Sequence, residues 1–227
     1  MGIFVSSAGC SLMKTIGLLG GTFDPVHLGH IRMAQEFKAQ LKFDEMRLLP
    51  CHLPPHKATP ARTSAQRLAM VQLAIQACPE LEVDDRELSR EQASYTIDTL
   101  VELRREQGPD VSLCWCIGMD SLASLNQWYR WQELLDYAHI VVAARPGWSQ
   151  PVSGEVAQWL AANRLAAEQL DKRAAGGVVI APLSLVDVSS TQLRYALAGE
   201  GGEANPDWRG QLPAGVYDYI EQQRLYR

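Results

Sequence analysis

No apolar run in this chain approaches the roughly twenty residues needed to cross a bilayer, so a membrane-spanning helix is excluded as an organising feature. Positive charge is also short: 21 Lys and Arg face 26 Asp and Glu, a formal net charge of −5. Proteins that hold nucleic-acid polymers usually carry a basic face, so that class of partner is set aside, and an anionic substrate must be met by local positive charge. Cysteine is sparse and odd in number, five in 227 residues, which predicts reduced thiols in a cytoplasmic protein rather than a disulfide framework. Cys114 and Cys116 would share one strand face, but no second cysteine pair completes a metal hairpin, and core packing is the reading they favour. Internal repeats and low-complexity tracts are absent. So is the GxGxxG fingerprint, which leaves a hydride-transferring dehydrogenase without its cofactor loop.

What is present is an ordinary globular composition, 47% hydrophobic and 21% charged, with enough length for one sizeable core. Residues 13–227 are expected to form a single domain. Residues 1–12 are expected to be a disordered extension, with Met13-Lys14 a natural beginning directly before the first strand. Met1-Gly2 with Ser6 fits a loose myristoylation pattern, and Ser7 to Cys10 a lipoprotein-like site. The segment before Cys10 is too short and lacks the basic start such signals need.

Periodicity predicts strands near 15–20, 46–50, 81–84, 111–117, 139–143 and 178–181. Helical stripes lie between them, at 28–41, from Thr63 toward Cys78, at 96–107 and over 155–175, and a last helix follows Pro213. Thr63 with Gln66, and Ser189 with Gln192, have the capping-box spacing. Such alternation predicts an α/β fold: a Rossmann-like parallel sheet with helices on both faces and a C-terminal helical portion.

The stretch from Gly20 to His30 reads Gly-Gly-Thr-Phe-Asp-Pro-Val-His-Leu-Gly-His. Paired glycines end a strand and turn the backbone, and a helix beginning near Leu28 offers free N–H groups and the positive end of its dipole to an anion. Gly29 is read as removing a side chain that would hold a ligand off that backbone. His27 and His30 are three apart and share a helical face; no third metal ligand is obvious nearby. A second helix start, Ser189 to Arg194, repeats the theme: it is either a plain capped helix or a set of hydroxyls and N–H groups with Arg194 forked onto phosphate oxygens.

Other candidates sit where the carboxyl ends of the strands are expected, the edge at which open α/β sheets collect ligands. Asp120 is either a ribose or metal contact or a routine helix cap, and Arg145 ends another strand with a cation. His56 and Lys57 close a loop stiffened by Pro54-Pro55, which suits ligand presentation and an ordinary turn equally. Trp128, with Tyr129 and Trp131, offers either a stacking face or core.

The Gly20 to His30 stretch resembles the T/HxGH signature of the nucleotidylyltransferase superfamily. With Pro54 to Lys57, Tyr95 to Thr99, Ile117 to Asp120, Trp128 and Val188 to Arg194, the likeness narrows to bacterial nicotinate-mononucleotide adenylyltransferases, in that family's order over 15–227. Val188 stands where isoleucine is common. The resemblance implies that ATP and nicotinate mononucleotide give deamido-NAD and pyrophosphate, with Mg²⁺ held by phosphate and water rather than in a dedicated protein cage. It implies ATP contacts at Gly20, Gly21, Thr22, Phe23, His27, His30, Ser190, Thr191 and Arg194, with His27, His30 and Arg194 catalytic. For the acceptor it implies His56, Lys57, Tyr95, Thr96, Thr99, Asp120, Trp128 and Arg145. Trp128 would stack on the pyridine, Thr96 would meet the carboxylate and Lys57 would approach the phosphate. A related enzyme using nicotinamide mononucleotide or phosphopantetheine is the alternative, though Pro54 to Lys57 and Tyr95 to Thr99 speak against the latter. A non-catalytic ATP-binding module would be favoured by loss of a histidine or of the Ser-Thr helix start, and both are present.

Overall fold

The computed structural model describes residues 12–53, 60–90, 93–144, 154–184, 186–199 and 208–227. Its strands are β1 (Lys14–Gly21), β2 (Glu45–Pro50), β3 (Glu82–Val83), β4 (Val111–Gly118), β5 (His139–Ala144) and β6 (Val178–Pro182). The helices are α1 (Leu28–Leu41), α2 (Ser64–Ile75), α3 (Thr96–Gln107), α4 (Met119–Ala123), α5 (Leu134–Tyr137), α6 (Glu155–Ala162), α7 (Ser190–Leu197) and α8 (Ala214–Gln222). All five strand pairings are parallel, in the order β3-β2-β1-β4-β5-β6. The chain builds outward from β1 on one side, then crosses to β4 and builds outward on the other. The switch point between β1 and β4 therefore opens a crevice at their carboxyl ends.

Alternation along each strand creates two cores. Leu19, Met46, Leu48, Cys114 and Cys116 face α1, α2 and α8, where Phe37, Met70 and Val216 are fully buried. Ile16, Leu18, Leu113, Trp115 and Ile117 face α3 to α6. Both cysteines are core residues, and burial pushes the Cys114 thiol up to about 12. Helices thus cover both faces of the sheet, as the alternation predicts.

Both capping boxes form: Thr63 accepts from Gln66 and Ser189 from Gln192 at the starts of α2 and α7. The helical stripe expected over 155–175 is broken. Beyond α6, the Val178 N–H donates to Asn163 O at 2.7 Å and the Leu165 N–H to Val178 O at 2.9 Å, so Arg164 forms a parallel bridge to Val178 of β6 before a 3₁₀ turn at Ala167–Lys172. A sheet-edge pairing has overridden the helical propensity of the alanines.

Candidate active site

The crevice starts at the end of β1. A Cβ on Gly20 would lie 2.6 Å from the Trp115 ring, and one on Gly21 would lie 2.8 Å from Phe23, so neither position admits a side chain without a shift. Phe23 has φ 50°, a conformation that costs a bulky residue roughly 1–3 kcal/mol. Packing compensates: Phe23 is buried and meets the His30 ring edge-on at 5.0 Å.

His27 is the N-cap of α1 and stacks on His30 with ring centroids 3.7 Å apart. The His27 backbone N–H donates to His30 Nδ1 at 3.3 Å. In the neutral ring this places the His30 proton on Nε2 as a donor. His27 is buried, its Nδ1 is enclosed without a hydrogen-bond partner, and burial pushes its pKa down to about 4. At neutral pH it therefore offers N–H donation and no charge. The structure corrects the reading of Gly29. A Cβ there would strike Val188 Cγ1 at 2.8 Å and His27 Nδ1 at 3.0 Å, so this glycine lets the two helix starts pack together and does not open space for a ligand.

The second helix start is tied to the first by side-chain donors. Ser190 Oγ donates to Pro25 O at 2.9 Å, Arg194 Nη1 donates to Asp24 O at 2.7 Å, and Arg194 Nη2 donates to Thr191 Oγ1 at 3.2 Å. The N-termini of α1 and α7 thus lie side by side, with Thr191 exposed and Ser190 and Arg194 half-buried. Two helix dipoles and one guanidinium give this corner of an acidic protein local positive potential that suits an anion.

Two further residues hold this corner: Asp24, inside the Gly20 to His30 stretch, and Arg67, which no motif marks. Asp24 is buried; its Oδ2 accepts from the Ala61 N–H at 2.7 Å and its Oδ1 from Tyr226. Arg67 is buried at 1% exposure and donates to the backbone of Thr22, Cys51 and His52. One arginine in a helical stripe gives no sequence signal of this kind, because its polar partners come from three separate strand ends and loops.

On the other side of the crevice, Tyr95 caps α3 and its ring lies 4.9 Å from that of the exposed Tyr129. Trp128 is half-buried against the second core, while Trp131 is core, edge-on to Trp159 at 5.4 Å. Thr96 opens α3 and is half-buried, and Asp120 is exposed at the start of α4. Thr99 is placed differently from the rest: fully buried, it donates to Glu87 Oε1 and accepts from Arg90 Nη1, each at 2.7 Å, and has no surface for a ligand. His56, Lys57 and Arg145 lie outside the described residues.

Among the described residues no three His, Cys, Asp or Glu side chains stand together as a metal cluster, and no helix is long and apolar enough to cross a membrane. A cavity of about 750 Å³ lined by Lys14, Lys42, Asp44 and Asp171 lies at the amino ends of the strands, away from this crevice and its helix N-termini.

Residues 18–196 match a family model described as cytidylyltransferase-like. The chain is 49% identical over 216 residues to a protein of Cellvibrio japonicus named "Probable nicotinate-nucleotide adenylyltransferase", covering 95% of this chain and 100% of that one. A protein of the same name from Aeromonas salmonicida is 51% identical over 217 residues, covering 95% and 99%. Among solved structures, Plasmodium falciparum nicotinic acid mononucleotide adenylyltransferase complexed with NaAD has the same fold, with a TM-score of 0.69 at 18% identity over 94% of this chain and 97% of that one.

Proposed function

The chain belongs to the nicotinate-nucleotide adenylyltransferase family and transfers the adenylyl group of ATP to nicotinate mononucleotide with release of pyrophosphate; we propose that the transfer takes place at the β1/β4 switch point, in residues 13–227 acting as one unit. The observation that carries this placement is the side-by-side packing of the α1 and α7 N-termini, joined by Ser190 and Arg194 to the loop before α1.

The acceptor phosphate has a second pKa of about 6, so at neutral pH it is largely dianionic and needs no general base. Its oxygen attacks the α-phosphorus, the bond from that phosphorus to the bridging oxygen breaks, and pyrophosphate leaves with the electron pair. No covalent enzyme intermediate is needed. Catalysis consists of placing the two substrates in line and stabilising charge that spreads onto the leaving group. His30 Nε2–H donates to the α-phosphate, the contact most specific to the transition state. His27 supports it from behind as a neutral donor through Nε2. Gly20, Gly21, Thr22 and the backbone of Phe23, whose ring is buried, line the nucleotide side, and Ser190, Thr191 and Arg194 hold the β and γ phosphates. For Ser190 and Arg194 this means an exchange, since both already donate within the protein and must share or turn those hydrogens.

Trp128 stacks on the pyridine, and Thr96 with the first N–H groups of α3 meets the carboxylate, alongside Tyr95. Asp120 meets a ribose or the cation. We assign Lys57, His56 and Arg145 to the acceptor phosphate side on the motif alone. Thr99 acts through α3 by anchoring it to Glu87.

Nucleotidyl transfer in this family draws on a divalent cation with ATP, and we infer Mg²⁺. The donor set fits a cation carried by the nucleotide: the Asp24 carboxylate is occupied by Tyr226 and Ala61, which leaves Asp120 as an exposed carboxylate at this edge. Bound there, the cation would neutralise phosphate charge. Reduced thiols at Cys78, Cys114 and Cys116 support a reducing, cytoplasmic setting.

The test is pyrophosphate release with ATP and Mg²⁺ and each of nicotinate mononucleotide, nicotinamide mononucleotide and phosphopantetheine, repeated with His30→Ala. The expected result is release with the nicotinate acceptor and its loss in the variant. An unchanged rate in His30→Ala would remove the site assignment.

A further inference from the structure

We propose that Arg67 is a positioning residue that sets the distance between the ATP side and the acceptor side of the crevice. Its side chain is 1% exposed, and no carboxylate among the described residues pairs with it. A buried cation without a counter-ion is costly unless every donor is used. Here all of them are: Nε donates to Arg62 O at 3.3 Å, Nη1 to Thr22 O at 2.8 Å and Cys51 O at 2.6 Å, and Nη2 to His52 O at 2.9 Å and Ser64 Oγ at 3.1 Å. These are the five N–H groups of one planar fork.

The acceptors belong to both halves of the site. Thr22 follows β1 in the glycine corner. Cys51 and His52 follow β2, and that loop is bound in turn to the start of α3: the His52 N–H donates to Ser94 Oγ at 2.9 Å, and the Ser94 N–H donates to Leu53 O at 2.9 Å. Ser94 directly precedes Tyr95 and Thr96. One rigid guanidinium therefore spans from the loop that turns the nucleotide corner to the loop that carries the acceptor helix. In-line transfer has a strict distance requirement, and misplacement by about 1 Å costs on the order of 10²-fold in rate. Lysine keeps the charge but has three donors radiating from one atom and cannot reach this acceptor set.

This inference rests on the site assignment above, and the experiment keeps the two apart. Arg67→Lys is assayed for kcat and for both KM values beside wild type and His30→Ala, each at a temperature where circular dichroism shows it folded. The expected result is a kcat loss of about 10²-fold in Arg67→Lys with both KM values within about fivefold. Arg67→Ala is expected to regain part of its kcat on addition of millimolar guanidinium, and not of ammonium. Ser94→Ala leaves the guanidinium shell intact and keeps the test readable where Arg67→Lys does not fold; about tenfold loss of kcat at unchanged ATP KM is expected. Arg67→Lys with a kcat within threefold of wild type overturns the proposal, and so does Ser94→Ala with a kcat within twofold. If His30→Ala is inactive while these variants are not, the positioning role fails and the site stands. If His30→Ala keeps both wild-type kcat and wild-type KM values, the site assignment itself has failed.

Discussion

The hydroxyl of Tyr226 donates to Oδ1 of Asp24 at 2.6 Å, a contact between residues 202 apart in sequence. Asp24 sits in the turn between β1 and α1, and both residues are 4% exposed. Burial, and then the bond to Asp24, hold the Tyr226 hydroxyl protonated far above its ordinary range, while Arg62 lies over its ring at 4.5 Å. The chain segment after α8 thus braces the loop that positions His27.

Tyr226→Phe keeps the ring and removes the donor, leaving a buried carboxylate oxygen without a partner. The expected cost is roughly 1–3 kcal/mol, seen as a lower thermal midpoint. The ATP KM should rise several-fold, since Arg194 is held by the same Asp24 through its carbonyl. Unchanged melting and kinetics would show that the contact braces nothing.

His30→Ala is expected to lower kcat by orders of magnitude while substrate affinity stays within about tenfold, the pattern of an interaction made mainly in the transition state. Steady-state kinetics with both substrates varied reads this directly. A raised KM at normal kcat would instead assign His30 to ground-state binding.

Trp128→Ala should raise the KM for nicotinate mononucleotide far more than that for ATP. The ring is half-buried against the second core, so the control is the melting temperature. Equal effects on both KM values would mark it as a folding residue.

Stability should depend on pH through His27. Its folded pKa is about 4 against 6.5 unfolded, lowered by burial. Between those values the unfolded chain binds the extra proton, so stability rises with pH across this window and is lost as pH falls from 6.5 toward 4. A shift of this size corresponds to at most about 3 kcal/mol. Buried His139, also lowered chiefly by burial, acts in the same direction. Urea unfolding between pH 7 and 4 measures the slope, and His27→Asn should flatten it.

Gly29→Ala puts a methyl 2.8 Å from Val188 Cγ1 and 3.0 Å from His27 Nδ1. Overpacking of this kind costs typically 1–3 kcal/mol, and activity should fall with it because both helix starts are displaced. Adding Val188→Ala should recover part of the loss. A double variant no better than the single would place the strain on the His27 ring alone.

The sequence by itself determined the class of fold and the two helix starts to which the site is assigned. Strand and helix periods, the glycine pair and the two capping boxes are short-range properties: each rests on residues within a few positions of one another, so no tertiary information is needed to read them. It also carried the family, through motifs spread in order along the chain. Only the tertiary structure decided how those helix starts are held. Arg67, Tyr226 and Asp24 have partners from distant segments, and a lone arginine, a tyrosine and a loop aspartate carry no local pattern that distinguishes a brace from a surface residue. The same holds for Gly29, whose need for a hydrogen in place of a side chain comes from Val188, 159 positions away by its own numbering. Thr99 shows the converse: the resemblance implied a ligand contact, but the helical turn points it inward, where Glu87 and Arg90 take both of its hydrogen bonds. The stripe over 155–175 was lost to β6 for the same reason, since a free sheet edge offers backbone hydrogen bonds that no helical period can foresee.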